Sequence, residues 1–148
     1  MKSGERTARA TRRKRFVLDS YAMIGYLENE TFSDEVQDLL FAARDGLVTL
    51  YFHMIHLGEV YYITMREQGQ TLADLAYLRV KALPLLLVDR IDEELVRKAA
   101  TLKALHPVSH ADSFAAALAM IKECPLLTGD PEFSSLEKKG ILRIEWLI

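Results

Sequence analysis

Four carboxylates stand where an isolated negative charge is costly. Asp19 closes the apolar run at the start of VLDSYAMIGYL (17–27), and Glu59 interrupts the helical stretch HLGEVYYI (56–63). Asp112 opens the small-residue segment SHADSFAAALAMI (109–121), and Asp130 ends PLLTGD (125–130). Burying an ionised carboxylate without a partner is unfavourable. Several brought together repel one another and raise their pKa values unless a cation holds them ionised. A hard divalent ion resolves that conflict. Oxygen ligands suit Mg²⁺ or Mn²⁺, which bind through a few carboxylates together with substrate phosphate, so the pattern points to phosphoester chemistry. Taken singly, most of these acids have a simpler explanation. Asp19 or Ser20 fits a helix N-cap, Asp130 precedes Pro131 at a helix start, and Ser109 with Asp112 resembles a capping box. Glu59, in mid-helix, has no such role, while Asp89 beside Arg90 reads as a cap or ion-pair partner.

Such a site needs elements to hold it. Short apolar runs at 15–19, 47–52, 83–89, 125–130 and 141–147 read as strands. Between them, spacing near 3.6 predicts helices over 20–28, 33–45, 55–68, 71–82, 92–105, 110–123 and 132–139. Alternation of this kind implies an α/β fold with a mostly parallel central sheet covered on both faces. In such sheets ligands bind beyond the carboxyl ends of the strands, where Asp19, Asp89 and Asp130 are expected.

The 148 residues, half of them hydrophobic, suit one domain. Without a membrane-length apolar run or a secretory signal, the chain reads as soluble and cytoplasmic. The single Cys124 is expected to be a buried free thiol. A net charge of −2 hides an asymmetry: residues 1–15 carry seven Lys or Arg and one Glu, whereas the remainder is net −8. Residues 1–15 therefore read as a basic, disordered tail and residues 16–148 as the folded domain. Within the tail, Arg12, Arg13, Lys14 and Arg15 are candidates for nucleic-acid contact.

The four segments VLDSYAMIGYL, HLGEVYYI, SHADSFAAALA and LLTGDPEF, in this order, resemble the PIN-domain nucleases, especially the VapC-like toxins of prokaryotic toxin–antitoxin pairs. The resemblance spans residues 16–148. It implies a three-layer fold with about five strands, and a metal-dependent endonuclease acting on single-stranded RNA. Its four acids fall on Asp19, Glu59, Asp112 and Asp130, with Ser20 and Thr128 as polar supports. It further implies a homodimer restrained by a small antitoxin-like partner; RNA processing, or binding without catalysis, are the other roles the same fold offers. The basic tail and the bulky Tyr21 are additions to the familiar pattern.

On the residues alone, Asp19 is expected to be the central ligand, Glu59 and Asp112 to complete its shell, and Asp130 to hold a second ion or orient water. Hydrolysis by an activated water would leave a 5′-phosphate and a 3′-hydroxyl. The competing metal reading is zinc at His53 and His56, or at His106 and His110. The first pair straddles a strand end and Pro107 interrupts the second, so neither shares one helical face. A receiver-type domain would require a lysine near the last strand, a haloacid-dehalogenase-like phosphatase an acid where Tyr21 stands, and a nucleotide-binding domain a glycine-rich phosphate loop. Tyr61, Tyr62 and Tyr77 fit core or interface better than base stacking.

Overall fold

The computed structural model describes residues 13–148. Five strands, β1 (Lys14–Leu18), β2 (Val48–His53), β3 (Leu86–Val88), β4 (Leu126–Thr128) and β5 (Ile144–Trp146), form one sheet in the order β3-β2-β1-β4-β5. Every neighbouring pair is parallel. Seven α-helices are present among the described residues: α1 (Ser20–Leu27), α2 (Ser33–Arg44), α3 (Met54–Gln68), α4 (Gln70–Lys81), α5 (Glu93–Leu105), α6 (His110–Lys122) and α7 (Ser134–Lys138). The result is a three-layer α/β arrangement.

The layers follow from strand alternation, because successive side chains point to opposite faces of a sheet. In β1, Val17 joins a core with Leu95, Leu102 and Phe114 from α5 and α6. Its neighbour Leu18 joins another with Met23, Val36, Leu57 and Val80 from α1 to α4. Leu126 and Leu127 of β4 divide in the same way. Both faces are covered, so the central strands read as unbroken apolar runs and not as alternating ones. The alanines of α6 at positions 115, 116, 117 and 119 are all buried, which lets this helix lie close to the sheet.

Local chemistry sets the helix starts. The Asp19 carboxylate accepts the amide of Ala22 at 2.9 Å, Asp92 that of Leu95 at 3.0 Å and Ser109 Oγ that of Asp112 at 3.1 Å. The cap expected of Asp89 thus belongs to Asp92; Asp89 is exposed in the loop after β3. The strand expected over 83–89 shortens to three residues, because the chain turns at Pro84, with the Leu85 amide donating to the Leu83 carbonyl at 2.7 Å. The helix expected over 132–139 divides into a 3-10 turn (Pro131–Phe133) and α7.

The boundary of the basic tail also moves. Lys14 and Arg15, grouped with the tail by charge, are the first residues of β1 and pair with Val48 and Thr49. Arg13 precedes the strand, and Arg12 lies outside the described residues. Cys124 is a buried free thiol. No described helix is long and apolar enough to cross a membrane.

Candidate active site

β1 lies between β2 and β4, so the chain leaves it for one side of the sheet and later returns on the other. This is the topological switch point, and a crevice opens there beyond the carboxyl ends of the strands. The register pairs Leu18 with Leu127, which brings Asp19 beside Thr128. Thr128 Oγ1 donates to Asp19 Oδ2 at 2.6 Å and accepts the amide of Asp130 at 3.0 Å. Asp19 is held at its other oxygen by its own helix cap. Both oxygens are fixed, and the residue is 1 % exposed.

A cleft of about 700 Å³ opens above this point. Glu59, Asp112 and Asp130 line it, as do Ser20, Tyr21 and three acids that spacing did not single out, Glu28, Glu30 and Glu132. Carboxylate oxygens of Asp112, Asp130 and Glu132 lie within 4.8 Å of one another. Glu132 is locked in place from two sides: its amide donates to Asp130 Oδ1 at 2.9 Å, and its Oε1 accepts the amide of Ser109 at 2.8 Å. Asp130 and Glu132 thus belong to the turn after β4, whereas Ser109 and Asp112 begin α6. In the sequence Glu132 looks like an ordinary acid in a helix first turn, and only the contact with Ser109 distinguishes it.

The electrostatics follow the geometry. Burial pushes the Asp19 carboxyl up to about 7; the bonds from Thr128 and Ala22 hold it back, and the charges of Asp130 and Glu59 raise it further. Burial also raises Asp112, reinforced by Glu132 and then by Asp19. Glu59 is raised by burial and by Asp130, with the Ser20 hydroxyl offsetting part of the shift. Glu59 Oε1 is buried with no hydrogen-bond partner. An unsatisfied buried oxygen beside a cluster of mutually repelling carboxylates is a donor set that fits a hard divalent cation.

His53 has both ring nitrogens occupied, whereas His56 keeps a buried, unpartnered Nδ1. His53 Nδ1 accepts the Ile55 amide and Nε2 donates to the Arg90 carbonyl, each at 3.0 Å. His56 Nε2 donates to the Ala111 carbonyl at 3.0 Å, and burial lowers its pKa to about 4, so the ring is neutral. His56 is a positioning residue that sequence reasoning missed. It sits one turn before Glu59 and clamps α3 to the residue preceding Asp112. Of the basic candidates, Arg13, Lys14 and Arg15 are exposed at the start of β1, the opposite end of that strand from Asp19.

The arrangement agrees with its relatives in shape. No curated protein sequence matches the chain significantly. Among solved structures, a chain of VapBC2 from Rickettsia felis, bound to a DNA fragment from its promoter, has a TM-score of 0.69 at 13% identity, covering 88% of this chain and 97% of that one. DNA-bound VapBC from Salmonella typhimurium gives 0.68 at 18% identity, covering 91% and 99%. Mycobacterium tuberculosis VapC20, a toxin that cleaves the sarcin-ricin loop, gives 0.63 at 16%, covering 82% and 94%. At such identities the likeness is one of fold. The family model of the PIN domain matches residues 16–139, nearly the whole described domain, and the chain belongs to the PIN-domain family.

Proposed function

We propose that this protein is a metal-dependent endoribonuclease that hydrolyses phosphodiester bonds of single-stranded RNA, acting in the cytoplasm as the homodimeric toxin of a toxin–antitoxin pair. The observation that carries this reading is the convergence of Asp112, Asp130 and Glu132 beside the unsatisfied oxygen of Glu59 at the switch point. Membership of the PIN family supports nuclease chemistry. Toxin–antitoxin complexes among the structural neighbours support a small antitoxin partner.

Asp19, Glu59, Asp112 and Asp130 are the proposed catalytic and metal-binding acids, joined by Glu132, with Mg²⁺ or Mn²⁺ as the ion. A divalent ion bound there supplies positive charge opposite the scissile phosphate and acidifies water. Each residue has a distinct task. Asp19, immobilised by Thr128 and Ala22, holds its carboxyl buried beneath the cleft. Thr128 links that carboxyl to the Asp130 amide, so the two acids hold a constant separation. Glu59 offers an oxygen that loses no internal hydrogen bond when it takes a ligand. Asp112, whose carboxyl is raised by burial, would release its proton on cation binding, and Glu132 would add a further carboxylate oxygen. Water as nucleophile leaves the RNA 2′-hydroxyl without a chemical role, giving 5′-phosphate and 3′-hydroxyl ends.

The test is cleavage of a single-stranded RNA by the purified protein with Mn²⁺ and with EDTA, together with Asp130→Asn and Glu132→Gln. We expect Mn²⁺-dependent cutting, loss in Asp130→Asn, and a Mn²⁺ requirement in Glu132→Gln raised roughly tenfold, as befits one missing ligand among several. Cutting that persists in EDTA, or that is unaffected by Asp130→Asn, would overturn the assignment.

A further inference from the structure

Tyr21 belongs to the neutral part of the cleft lining. The carboxylates of that lining repel phosphate until a cation intervenes, whereas Tyr21, beside Ile24, Phe32 and Leu147, presents a neutral aromatic ring. Its placement is firm. The ring stacks on Phe32 with centroids 5.9 Å apart and planes 19° from parallel. Phe32 is buried behind it at 7 % exposure, while Tyr21 keeps 42 % of its surface open in the cleft wall. The ring edge rests on Gly129, where a Cβ would stand 2.8 Å from Tyr21 Cε1 and 2.9 Å from the Leu147 carbonyl oxygen. Gly129 lies between Thr128 and Asp130. The aromatic platform is therefore seated on the very backbone that sets the catalytic acids, and Tyr21 is two residues from Asp19 along the chain.

We infer that Tyr21 is a substrate-positioning residue whose ring stacks on one unpaired base of the RNA next to the scissile phosphate. This deepens the nuclease reading above and rests on it. Every base has a π-face, so stacking grips RNA without reading sequence. It also requires that the base be free of a partner, which selects single strands, loops and bulges over paired regions. Purines, with more surface to overlap, are favoured over pyrimidines at the stacked position. Phe32 backs the platform, so the ring does not tilt away when a base presses on it, and the grip on the base is independent of metal.

The experiment pairs a ring variant with a missing base. A single-stranded RNA with one cut site is prepared with an abasic nucleotide at each position flanking the cut, and KM and kcat are measured for wild type, Tyr21→Phe, Tyr21→Trp and Tyr21→Leu. For wild type, one abasic position should raise KM about tenfold, the scale of a single base stacked on an aromatic ring. Tyr21→Phe and Tyr21→Trp should keep that penalty. Tyr21→Leu covers Phe32 but lacks a π-face; it should raise KM about tenfold on intact RNA and be indifferent to the abasic position. If Tyr21 only shields Phe32, Tyr21→Leu will match wild type on intact RNA, or the abasic penalty will survive in it, and either result overturns the inference. Should wild type cut no RNA at all, the nuclease reading fails and this inference with it; normal cutting with no abasic penalty at any position fails the inference alone.

Discussion

Asp19 serves two purposes that conflict, and the conflict is measurable. It caps α1 as an ionised acceptor, yet it is buried among other acids and its pKa is pushed to about 7 from 3.8. Between those values the folded chain holds a proton that the unfolded chain has released. The stability due to that proton is complete below about pH 4 and is lost as the pH rises through 7, amounting to an order of 4 kcal/mol. His56 works in the opposite direction: its pKa falls from 6.5 to about 4, so its contribution is lost as the solution is acidified through that range. The difference between two proteins isolates Asp19. In EDTA, Asp19→Asn should gain stability relative to wild type between pH 5 and pH 8 by urea unfolding, because the amide carries no charge to bury and the Thr128 hydroxyl can accept its proton. The same variant should lose Mn²⁺-dependent cleavage. At this scale the sequence was informative about residues with an odd local setting. Asp19 and Glu59 stand out against apolar neighbours, whereas Glu132 and His56 owe their roles to hydrogen bonds with Ser109 and Ala111, remote in the chain and invisible to spacing.

Helix and strand positions were largely legible because caps and apolar spacing are local signals. α1 to α6 begin and end within a residue or two of their expected limits. Extended edges were harder, since strand length depends on a partner: β3 keeps only the residues that pair with Tyr51 to His53 of β2. Packing contacts between elements were far less legible, and α1 shows why that matters. Replacing glycine in a helix interior by alanine ordinarily stabilises by about 1 kcal/mol. At Gly25 a Cβ would clash with the Phe32 ring, which is already stacked on Tyr21. Gly25→Ala should therefore destabilise by roughly 1–3 kcal/mol through overpacking. Urea unfolding checks the sign, and a stabilised variant would show that α1 and the segment carrying Phe32 are free to separate.

Among the described residues, basic side chains gather at the start of β1 and several exposed apolar ones on α3 and α4. Arg13, Lys14 and Arg15 stand at one end of β1 and Asp19 at the other, about 16 Å away at the rise of an extended strand. Because Lys14 and Arg15 are strand residues, a fair test of the tail removes residues 2–12 and leaves β1 whole. That truncation should weaken RNA binding and lower the salt slope by ~0.7 for each phosphate no longer neutralised. Cleavage at saturating RNA should persist, and equal slopes for the two proteins would exclude the tail from binding. Tyr62, Leu72, Leu75 and Leu78 are exposed on α3 and α4, whereas Tyr61 and Tyr77 pack edge to face between those helices. An apolar surface of this kind suits the proposed homodimer. Light scattering at micromolar concentration should give twice the mass of the chain, and Leu75→Glu with Leu78→Glu should return it to a monomer.

The hydrogen bond between Asp19 and Thr128 joins residues 109 apart in the chain. A ribosome adding roughly 5–20 residues per second needs roughly 5–20 s to make the second after the first. Throughout that interval the nascent chain carries Asp19, and later Glu59, without β4, Asp130 or Glu132. A polypeptide broken off anywhere before residue 126 lacks them permanently. For the proposed ribonuclease, this order of assembly is a safeguard: unfinished copies lack the acids of the turn after β4, and cutting of the message being read would await nearly the whole chain.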